Sequence, residues 1–227
     1  CIFIHIPKTG GQSIENVFLN SLGLTWKTRS PLLLHANAEK SIGPQRLEHL
    51  KAIEYTQHHY ISEELYNDYF KFSIVRNPWS RMFSFYKFHG YALVTDFKTY
   101  VMEYFMKDPW NRVQYFVCPQ VEYLYDNNNN LIVDYVIRFE NMDEDFKKVS
   151  SKYDFGLDKL PLINKSIPNQ NRFYLKAEKL VQKFPELKIE DNTEKLKSDY
   201  RDNYDDEIKE FVGEIYKKDI EAFNYTF

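Results

Sequence analysis

The sequence predicts an α/β fold with a mainly parallel central sheet, and two observations support this. Three short apolar runs rich in β-branched and aromatic residues are typical of buried strands: Ile2–Ile6, Tyr69–Val75 and Leu131–Arg138. Segments with apolar residues at helical spacing separate these runs, and such alternation is typical of parallel sheets. Ligands of such sheets bind beyond the carboxyl ends of the strands, so the loops after the runs are candidate sites.

Boundary signals predict several helices in the first half of the chain. Apolar residues recur at helical spacing after the first strand: Ile14, Val17, Phe18 and Leu22. The spacing over 47–54 predicts a short helix that carries His49. Ser62 is a suitable N-cap for another helix. Asn77 and Pro78 begin a further helix after the second strand, because proline is favoured at the first helical position.

The second half of the chain shows further helical patterns. They comprise a segment capped by Asp96 that runs through Phe105, Arg112–Tyr125 with a break near Pro119, a helix from Glu140 through Val149, and Phe173–Phe184. Lysines in the last pattern recur three to four residues apart, which predicts a solvated face: Lys176, Lys179 and Lys183. An apolar stripe indicates a closing helix: Ile208, Phe211, Val212, Ile215 and Tyr216.

The composition favours one domain spanning residues 1–227. With 43% apolar and 17% aromatic residues, the chain can fill a packed core of this size. A net charge of −3 lacks the basic excess of a nucleic-acid-binding protein, and no apolar run approaches the ~20 residues of a membrane span. Cys1 and Cys118 do not make a disulfide framework, which favours a cytoplasmic location. A Golgi location would require an anchor upstream of this chain.

The first candidate site is the loop 7–13, between the first strand and the first helix. Backbone N–H groups and the helix N-terminus converge in such a loop and attract phosphate. Gly10 and Gly11 let an anion approach the backbone, and Lys8 places a positive charge beside it. In a Walker A loop the lysine follows the glycines, whereas Lys8 precedes them, which argues against an ordinary ATP or GTP site.

Two motifs resemble those of a known family. Residues 5–15, HIPKTGGQSIE, resemble the 5′-phosphosulfate loop of sulfotransferases that use 3′-phosphoadenosine 5′-phosphosulfate (PAPS). Residues 72–86, with Arg76 after the strand and Ser84 eight residues later, resemble their 3′-phosphate motif. The pattern is similar to the carbohydrate branch, which includes the heparan sulfate 2-O-sulfotransferases and many small bacterial relatives. The resemblance covers most of the chain and implies a P-loop-like three-layer fold, with the parallel sheet flanked by helices.

The resemblance implies a set of PAPS contacts. It assigns the 5′-phosphosulfate to Lys8, Thr9, Gly10, Gly11, Gln12 and Ser13, and the 3′-phosphate to Arg76 and Ser84. Lys8 is also a catalytic candidate, because it would neutralise charge on the bridging oxygen as the S–O bond breaks. Gln12 stands where the family usually has Thr or Ser, so a hydroxyl contact is lost there while the backbone amide remains.

A late loop, Asn164–Ser166, resembles the family segment that closes over the nucleotide, although an ordinary polar loop explains it equally well. Its residues are Asn164, Lys165 and Ser166. The chain contains no metal-ligand spacing such as H-E-x-x-H or paired C-x-x-C, and the implied reaction needs no metal.

Transfer of a sulfonyl group to a hydroxyl needs a base that takes the acceptor's proton. His49 lies in a segment that resembles the family's histidine segment, and we predict it as this base. His59 and His35 are the alternatives. His5, inside the first strand, is expected to pack in the core or to line the floor of the site.

The resulting hypothesis is a metal-independent, PAPS-dependent sulfotransferase that acts on a hydroxyl acceptor, a saccharide by resemblance. One alternative is a P-loop kinase-like phosphotransferase, against which the position of Lys8 and the motif of Arg76 and Ser84 count. The other is a non-catalytic nucleotide-binding module, against which the available histidines count. The sequence does not identify the acceptor, because acceptor specificity resides in loops whose sequence carries no code for it.

Overall fold

A computed structural model describes residues 1–39, 42–107, 114–153, 160 and 170–227. The chain divides into two compact units. The first comprises the described residues of Cys1–Arg76 and Val113–Lys165, and the second those of Asn77–Arg112 and Ser166–Phe227.

The first unit is built on a parallel sheet with the strand order β1–β2–β3. The strands are β1 (Ile2–Ile4), β2 (Lys71–Val75) and β3 (Tyr135–Arg138). In the register of the sheet, Phe3 lies opposite Phe72, which lies opposite Tyr135. All five residues of β2 are buried, as expected for a central strand. The parallel α/β fold that the sequence predicts is therefore confirmed.

Two strands are shorter than the apolar runs that predict them. The first run extends to Ile6, but β1 ends at Ile4, and the carbonyl of the next residue, His5, accepts a hydrogen bond from the side chain of His49 (3.0 Å). The third run begins at Leu131, which forms an isolated antiparallel bridge with Tyr125 before the chain joins the sheet. Apolar composition alone does not show at which residue the backbone stops pairing with the sheet and bonds to another group instead.

The described residues form α-helices between and after the strands. In chain order they are α1 (Gln12–Ser21), α2 (Glu54–Gln57), α3 (Glu63–Asp68), α4 (Pro78–His89), α5 (Phe97–Thr99), α6 (Gln114–Val117), α7 (Val121–Leu124), α8 (Met142–Tyr153), α9 (Gln170–Lys183), α10 (Asp206–Ile215) and α11 (Lys217–Phe223). Short 3₁₀-helices occur at Ser30–Leu32, Leu47–His49, Tyr91–Leu93, Phe139–Asn141, Thr193–Lys195 and Tyr200–Asn203.

The predicted helix starts are confirmed where local capping chemistry defines them. Ser62 caps α3 by accepting from the Leu65 N–H, and Asn77 caps α4, whose first residue is Pro78. Asp96 caps α5 by accepting from the Thr99 N–H at 2.9 Å. The prediction of one α-helix from Asp96 through Phe105 is wrong in its middle, where a π-helical turn covers Tyr100–Tyr104.

The core of the first unit lies between the sheet and the helices α1 and α8. It contains buried aliphatic and aromatic side chains from all of these elements: Ile14, Val17, Phe72, Ile74, Ile137, Phe146 and Val149. Phe3 and Phe139 pack against this cluster. The amphipathic pattern of α1 thus buries one face on the sheet and fixes the direction in which the chain leaves β1.

The second unit is helical and is rich in aromatic contacts. Arg81 of α4 is fully buried, with its guanidinium 4.9 Å from the ring centre of Phe85 and 5.8 Å from that of Tyr216. The closing stripe is confirmed on α10, where Ile208 and Val212 are buried. Burial of a charge costs less where rings and hydrogen bonds replace its water.

The prediction of a solvated lysine face on α9 is wrong for Lys176. Its Nζ lies 3.5 Å from the centre of the Phe88 ring and also donates to the Phe88 carbonyl. Lys179 and Lys183 are exposed, as predicted. Charge spacing along the helix therefore predicts the exposure of two of the three lysines, whereas Lys176 is half-buried.

Candidate functional site

The loop between β1 and α1 has the backbone geometry of a tight strand-to-helix connection. Lys8 and Gly10 both have positive φ, +69° and +88°. The buried Thr9 donates from its Oγ1 to the carbonyl of Ile6 (2.8 Å), which closes the turn. Gly11 stands at the N-cap of α1 and has no side chain to cap it, and the Ser13 N–H donates to the Gly10 carbonyl (3.1 Å). Such a helix start is suited to an anion.

The two glycines of the loop are required for different physical reasons. At Gly10 the positive φ disfavours a side chain, and an added Cβ would lie 3.0 Å from the ring of Phe139. Gly11 has an ordinary helical φ of −58°. An added Cβ there would lie 2.3 Å from Cδ2 and 2.5 Å from Nε2 of His5. The sequence predicts both glycines from anion approach alone, whereas the structure shows that each also makes room for a ring.

His5 lies beneath the loop and is paired with a residue of α1. Its Nδ1 is 2.5 Å from Oε1 of Glu15, and both residues are buried. The sequence predicts His5 in the core or at the floor of the site, and in the structure its ring lies directly under Gly11. Glu15 is not among the predicted site residues, although a charged residue on the apolar face of α1 is a recognisable signal.

His49 is held against the residue that follows β1. Its Nδ1 lies 3.0 Å from the carbonyl oxygen of His5, and the two imidazole rings are 4.7 Å apart. The ring of Phe116 in α6 is 5.9 Å away and perpendicular. A carbonyl can only accept, so Nδ1 carries the proton and the lone pair of the neutral ring lies on Nε2. The contact therefore selects one tautomer of His49.

Hydrogen bonds to α7 hold the segment that follows His49. The N–H of Ala52 donates to the carbonyl of Tyr123 (2.8 Å), and Nζ of Lys51 donates to Glu122 (2.8 Å). Burial alone would lower the pKa of Lys51, but the hydrogen bond and the charge of Glu122 raise it above the ordinary value. Lys51 therefore stays protonated, which preserves this ion pair next to His49.

The alternative bases occupy other environments. His59 is exposed, with a φ of +58°, shortly after the end of α2. His35 contacts the carbonyl of Ala36 through Nδ1 (2.8 Å), and its own carbonyl accepts from the Leu47 N–H. Neither of these two contacts of His35 reaches the loop between β1 and α1, whereas His49 contacts the segment that leads into it.

Arg76 follows β2 and reaches the same loop. Its Nη1 donates to the carbonyl of Lys8 (3.2 Å), and its guanidinium stacks on Phe139 with 4.3 Å between the charge and the ring centre. Phe139 in turn covers Gly10. Phe139 is not among the site residues predicted from the sequence, but in the structure its ring contacts both Arg76 and Gly10.

Gln120 fixes the backbone of Arg76 and is absent from the predicted site. Its Oε1 accepts from the Arg76 N–H and its Nε2 donates to the Arg76 carbonyl, both at 2.8 Å. The residue is fully buried. An amide within a segment of apolar and aromatic residues is the only local signal of this role, because the partner is 44 positions away.

The other predicted cofactor contacts lie in different parts of the chain. Gln12 is exposed at the start of α1, and Ser13 is buried in its first turn. Ser84 lies on α4 in the second unit and is half-buried. Asn164, Lys165 and Ser166 lie outside the described residues. Their role as a closing loop stays a prediction.

Neither a metal centre nor a membrane span occurs in the part of the chain that the structure describes. Within the described ranges, no three His, Cys, Asp or Glu side chains converge as ligands of a metal ion. In the same ranges, no helix is both long and apolar enough to cross a bilayer.

A parallel sheet whose first strand leads through a glycine-containing loop into a helix N-terminus defines an α/β protein of the P-loop-like class. A model of the sulfotransferase family matches residues 1–226. The chain therefore belongs to the sulfotransferase family, whose enzymes transfer sulfate groups. A search of curated proteins and a search of solved structures each found no match.

Proposed function

We propose that this protein transfers the sulfonate group of PAPS to a hydroxyl of a saccharide, with His49 as the general base. One observation carries the proposal. Both His49 and Arg76 hydrogen-bond to main-chain carbonyls of the short segment between His5 and Lys8. Residues that the sequence motifs predict independently therefore contact the same short stretch of backbone, His49 at its start and Arg76 at its end.

The residues of the loop fit the charge and shape of a phosphosulfate. Lys8 supplies a positive charge, Gly10 and Gly11 add no side chain to the loop, and α1 begins with its N-terminus at this loop. The buried Thr9 uses its hydroxyl proton within the loop, so its contribution would come from its backbone N–H. We assign the 5′ end of PAPS to residues 8–13, with Asn164–Ser166 as a closing segment.

Arg76 and Ser84 are the proposed contacts of the 3′-phosphate. The guanidinium of Arg76 offers a planar fork that matches phosphate geometry. Its stacking on Phe139 restricts its rotation, so less conformational entropy is lost when an anion binds. Ser84 offers a hydroxyl from the second turn of α4.

PAPS, when bound, would supply the sulfonate group, and PAP (3′-phosphoadenosine 5′-phosphate) would be the leaving group. Nε2 of His49 holds the lone pair and would take the proton of the acceptor hydroxyl as that oxygen attacks. Lys8 would stabilise the negative charge that develops on the departing oxygen. No residue in this scheme requires a metal ion, and we expect transfer without one.

The proposal also includes a saccharide as the acceptor and a single domain as the organisation of the chain. The saccharide assignment rests on the resemblance to the carbohydrate branch, and the family match over residues 1–226 supports one sulfotransferase domain. A kinase-like phosphotransferase is disfavoured, since Lys8 precedes the glycines.

The test is a transfer assay with PAPS labelled in its sulfonate group and a panel of acceptors. The panel contains neutral saccharides, uronic acid-containing saccharides, phenols and aliphatic alcohols, each assayed with and without a metal chelator. We expect label on at least one saccharide and none on the phenols. Label on phenols alone would contradict the saccharide assignment, and phosphate transfer from ATP would support the kinase alternative.

A further inference from the structure

We infer that Glu15 and His5 form a positioning pair. The pair fixes the position of the loop between β1 and α1, which would bind the phosphosulfate, and it fixes the orientation of the His49 ring. The inference rests on the proposed function, in which His49 is the base. Neither residue contacts the reacting groups in this scheme; they act through Gly11 and His49.

The pair is a short, buried contact between a strand end and a helix start. Glu15 lies in the first turn of α1 and is 5% exposed, and His5 is 7% exposed. An ionised carboxylate only accepts, so the contact of 2.5 Å requires a proton on Nδ1 of His5. Buried pairs of this kind add little net stability, because the loss of hydration offsets the attraction. A role in geometry explains the pair better than a role in stability.

The pair supports the loop from below. With Nδ1 of His5 attached to α1, the opposite edge of the ring, Cδ2 and Nε2, faces Gly11. The ring cannot turn away without breaking the contact with Glu15, so it forms a fixed surface beneath the loop. Only glycine fits at position 11 above this surface.

The same pair is linked to the proposed base. His5 accepts the Nδ1–H of His49 on its carbonyl, and its ring packs edge-on against that of His49 at 4.7 Å. The backbone and the side chain of one residue thus set the tautomer and the direction of the His49 ring. Hydrogen-bonded partners of this kind fix ring orientation in other histidine sites.

The first experiment uses the unaltered chain, labelled with ¹⁵N at its histidines. We expect the imidazole spectra to show both His5 and His49 protonated at Nδ1. A spectrum in which either ring is neutral and carries its proton only at Nε2 overturns the inference, whether or not the protein transfers sulfonate. This measurement needs no substitution and so does not depend on a variant that folds.

The second experiment compares two substitutions of the same residue. Glu15→Gln keeps an acceptor for Nδ1 of His5, whereas Glu15→Leu keeps the approximate volume and removes the acceptor. We expect Glu15→Leu to produce mixed tautomers of His49 and to lower kcat by about 10²-fold, the usual effect of misplacing a reacting group by about 1 Å. Glu15→Gln should retain the single tautomer and lie within about threefold of the parent, since one hydrogen bond replaces another.

Glu64→Ala is the matched control, because Glu64 is also a first-turn glutamate but lies exposed on α3. It should leave both the spectra and kcat unchanged. Variants are compared per folded molecule, as judged by circular dichroism. If Glu15→Leu keeps the parent's His49 spectrum and kcat, the pair is only structural and the inference is wrong. Absence of transfer in every variant, with the tautomers as expected, would instead contradict the proposed function.

Discussion

At the residue scale, the site combines side chains whose roles depend on a single hydrogen-bond partner. A main-chain carbonyl makes Nδ1 of His49 the donor and leaves Nε2 as the basic atom. A second carbonyl, that of Lys8, orients Arg76. Carbonyls of a fixed loop are rigid acceptors, so the directions of both side chains follow from the course of the backbone between His5 and Lys8.

Substitution of His49 tests the assignment of the base. His49→Ala should still bind 3′-phosphoadenosine 5′-phosphate (PAP), because no cofactor contact is assigned to this ring. The transfer rate should fall by about 10²–10⁴-fold, the usual contribution of a general base. In the parent, the rate should decrease towards acid pH, since a protonated imidazole cannot accept a proton. Calorimetry with PAP and the labelled transfer assay measure the two effects.

His59→Ala is the control for this substitution, because His59 is exposed shortly after the end of α2. It should transfer sulfonate at the parental rate. If His59→Ala or His35→Ala abolishes transfer while His49→Ala leaves it intact, the base has been assigned to the wrong histidine.

Substitution of Arg76 separates binding from chemistry. Arg76→Ala should weaken PAPS binding by about 10–100-fold, the loss of one charged hydrogen-bonding group. Turnover should change less, since the 3′-phosphate is remote from the reacting sulfur and is bound alike in ground and transition states. Arg76→Lys keeps the charge without the fork and should give an intermediate affinity. Steady-state kinetics over a range of PAPS concentrations measure both effects. A lowered kcat with unaltered affinity for PAPS would contradict the assignment of Arg76 to the 3′-phosphate.

At the element scale, helix starts are the best-defined features of this chain. Ser62, Asn77, Asp96 and Asp205 all accept from backbone N–H groups in the first turn of the helix that follows. The helix α1 differs from these, since Gly11 provides no side-chain cap. A helix start of this kind is suited to an external anion, and α2, α7 and α11 also begin without a side-chain cap.

The cap of α10 gives a prediction about stability and pH. Asp205 accepts from the Ile208 N–H (3.0 Å), and this bond, together with Lys98, holds the pKa of its carboxyl below the usual 3.8. Asp205→Ala should lower the free energy of unfolding at neutral pH by about 1 kcal/mol. A depressed folded-state pKa stabilises the protein above the unfolded pKa, and this contribution is lost as pH falls through the folded value.

Urea unfolding of the parent and Asp205→Ala at neutral and acid pH measures this effect. The difference between the two proteins should shrink below about pH 3.8, as the carboxyl is protonated. Asp206→Ala, at the next position in the exposed first turn, is the control. It should lower the free energy of unfolding by less than Asp205→Ala does. An equal difference at both pH values would show that the charge of Asp205 does not matter.

At the scale of the whole molecule, the family match covers residues 1–226 and so includes described residues of both compact units. The parallel sheet, the loop between β1 and α1, His49 and Arg76 all belong to the first unit. The second unit contains Ser84 and an aromatic core around α4. Stability of the folded chain towards heat is the simplest readout of ligand binding to the molecule as a whole.

PAP should raise the melting temperature of the chain without added metal, and ATP should do so much less. A ligand that binds only the folded state adds about 2.7 kcal/mol at a hundredfold excess over its dissociation constant. The two anion motifs would hold the two ends of a 3′,5′-bisphosphate, whereas ATP has no 3′-phosphate. Scanning calorimetry with equal concentrations of each nucleotide provides the comparison, and equal shifts would favour the kinase alternative.

Local patterns in the sequence predict the strand–loop–helix order around Lys8–Ser13 and the capped helix starts, because each depends on residues within a few positions of one another. The alternation of strands and helices along the chain predicts the α/β class. The remaining side chains of the site come from distant parts of the sequence and are brought together by packing. Glu15 is paired with His5, Gln120 holds the backbone of Arg76, and Phe139 lies between Arg76 and Gly10. These contacts join residues 10, 44 and more positions apart. No local pattern encodes such a separation, since it is the packing of α1 and of the parallel strands that brings the partners together.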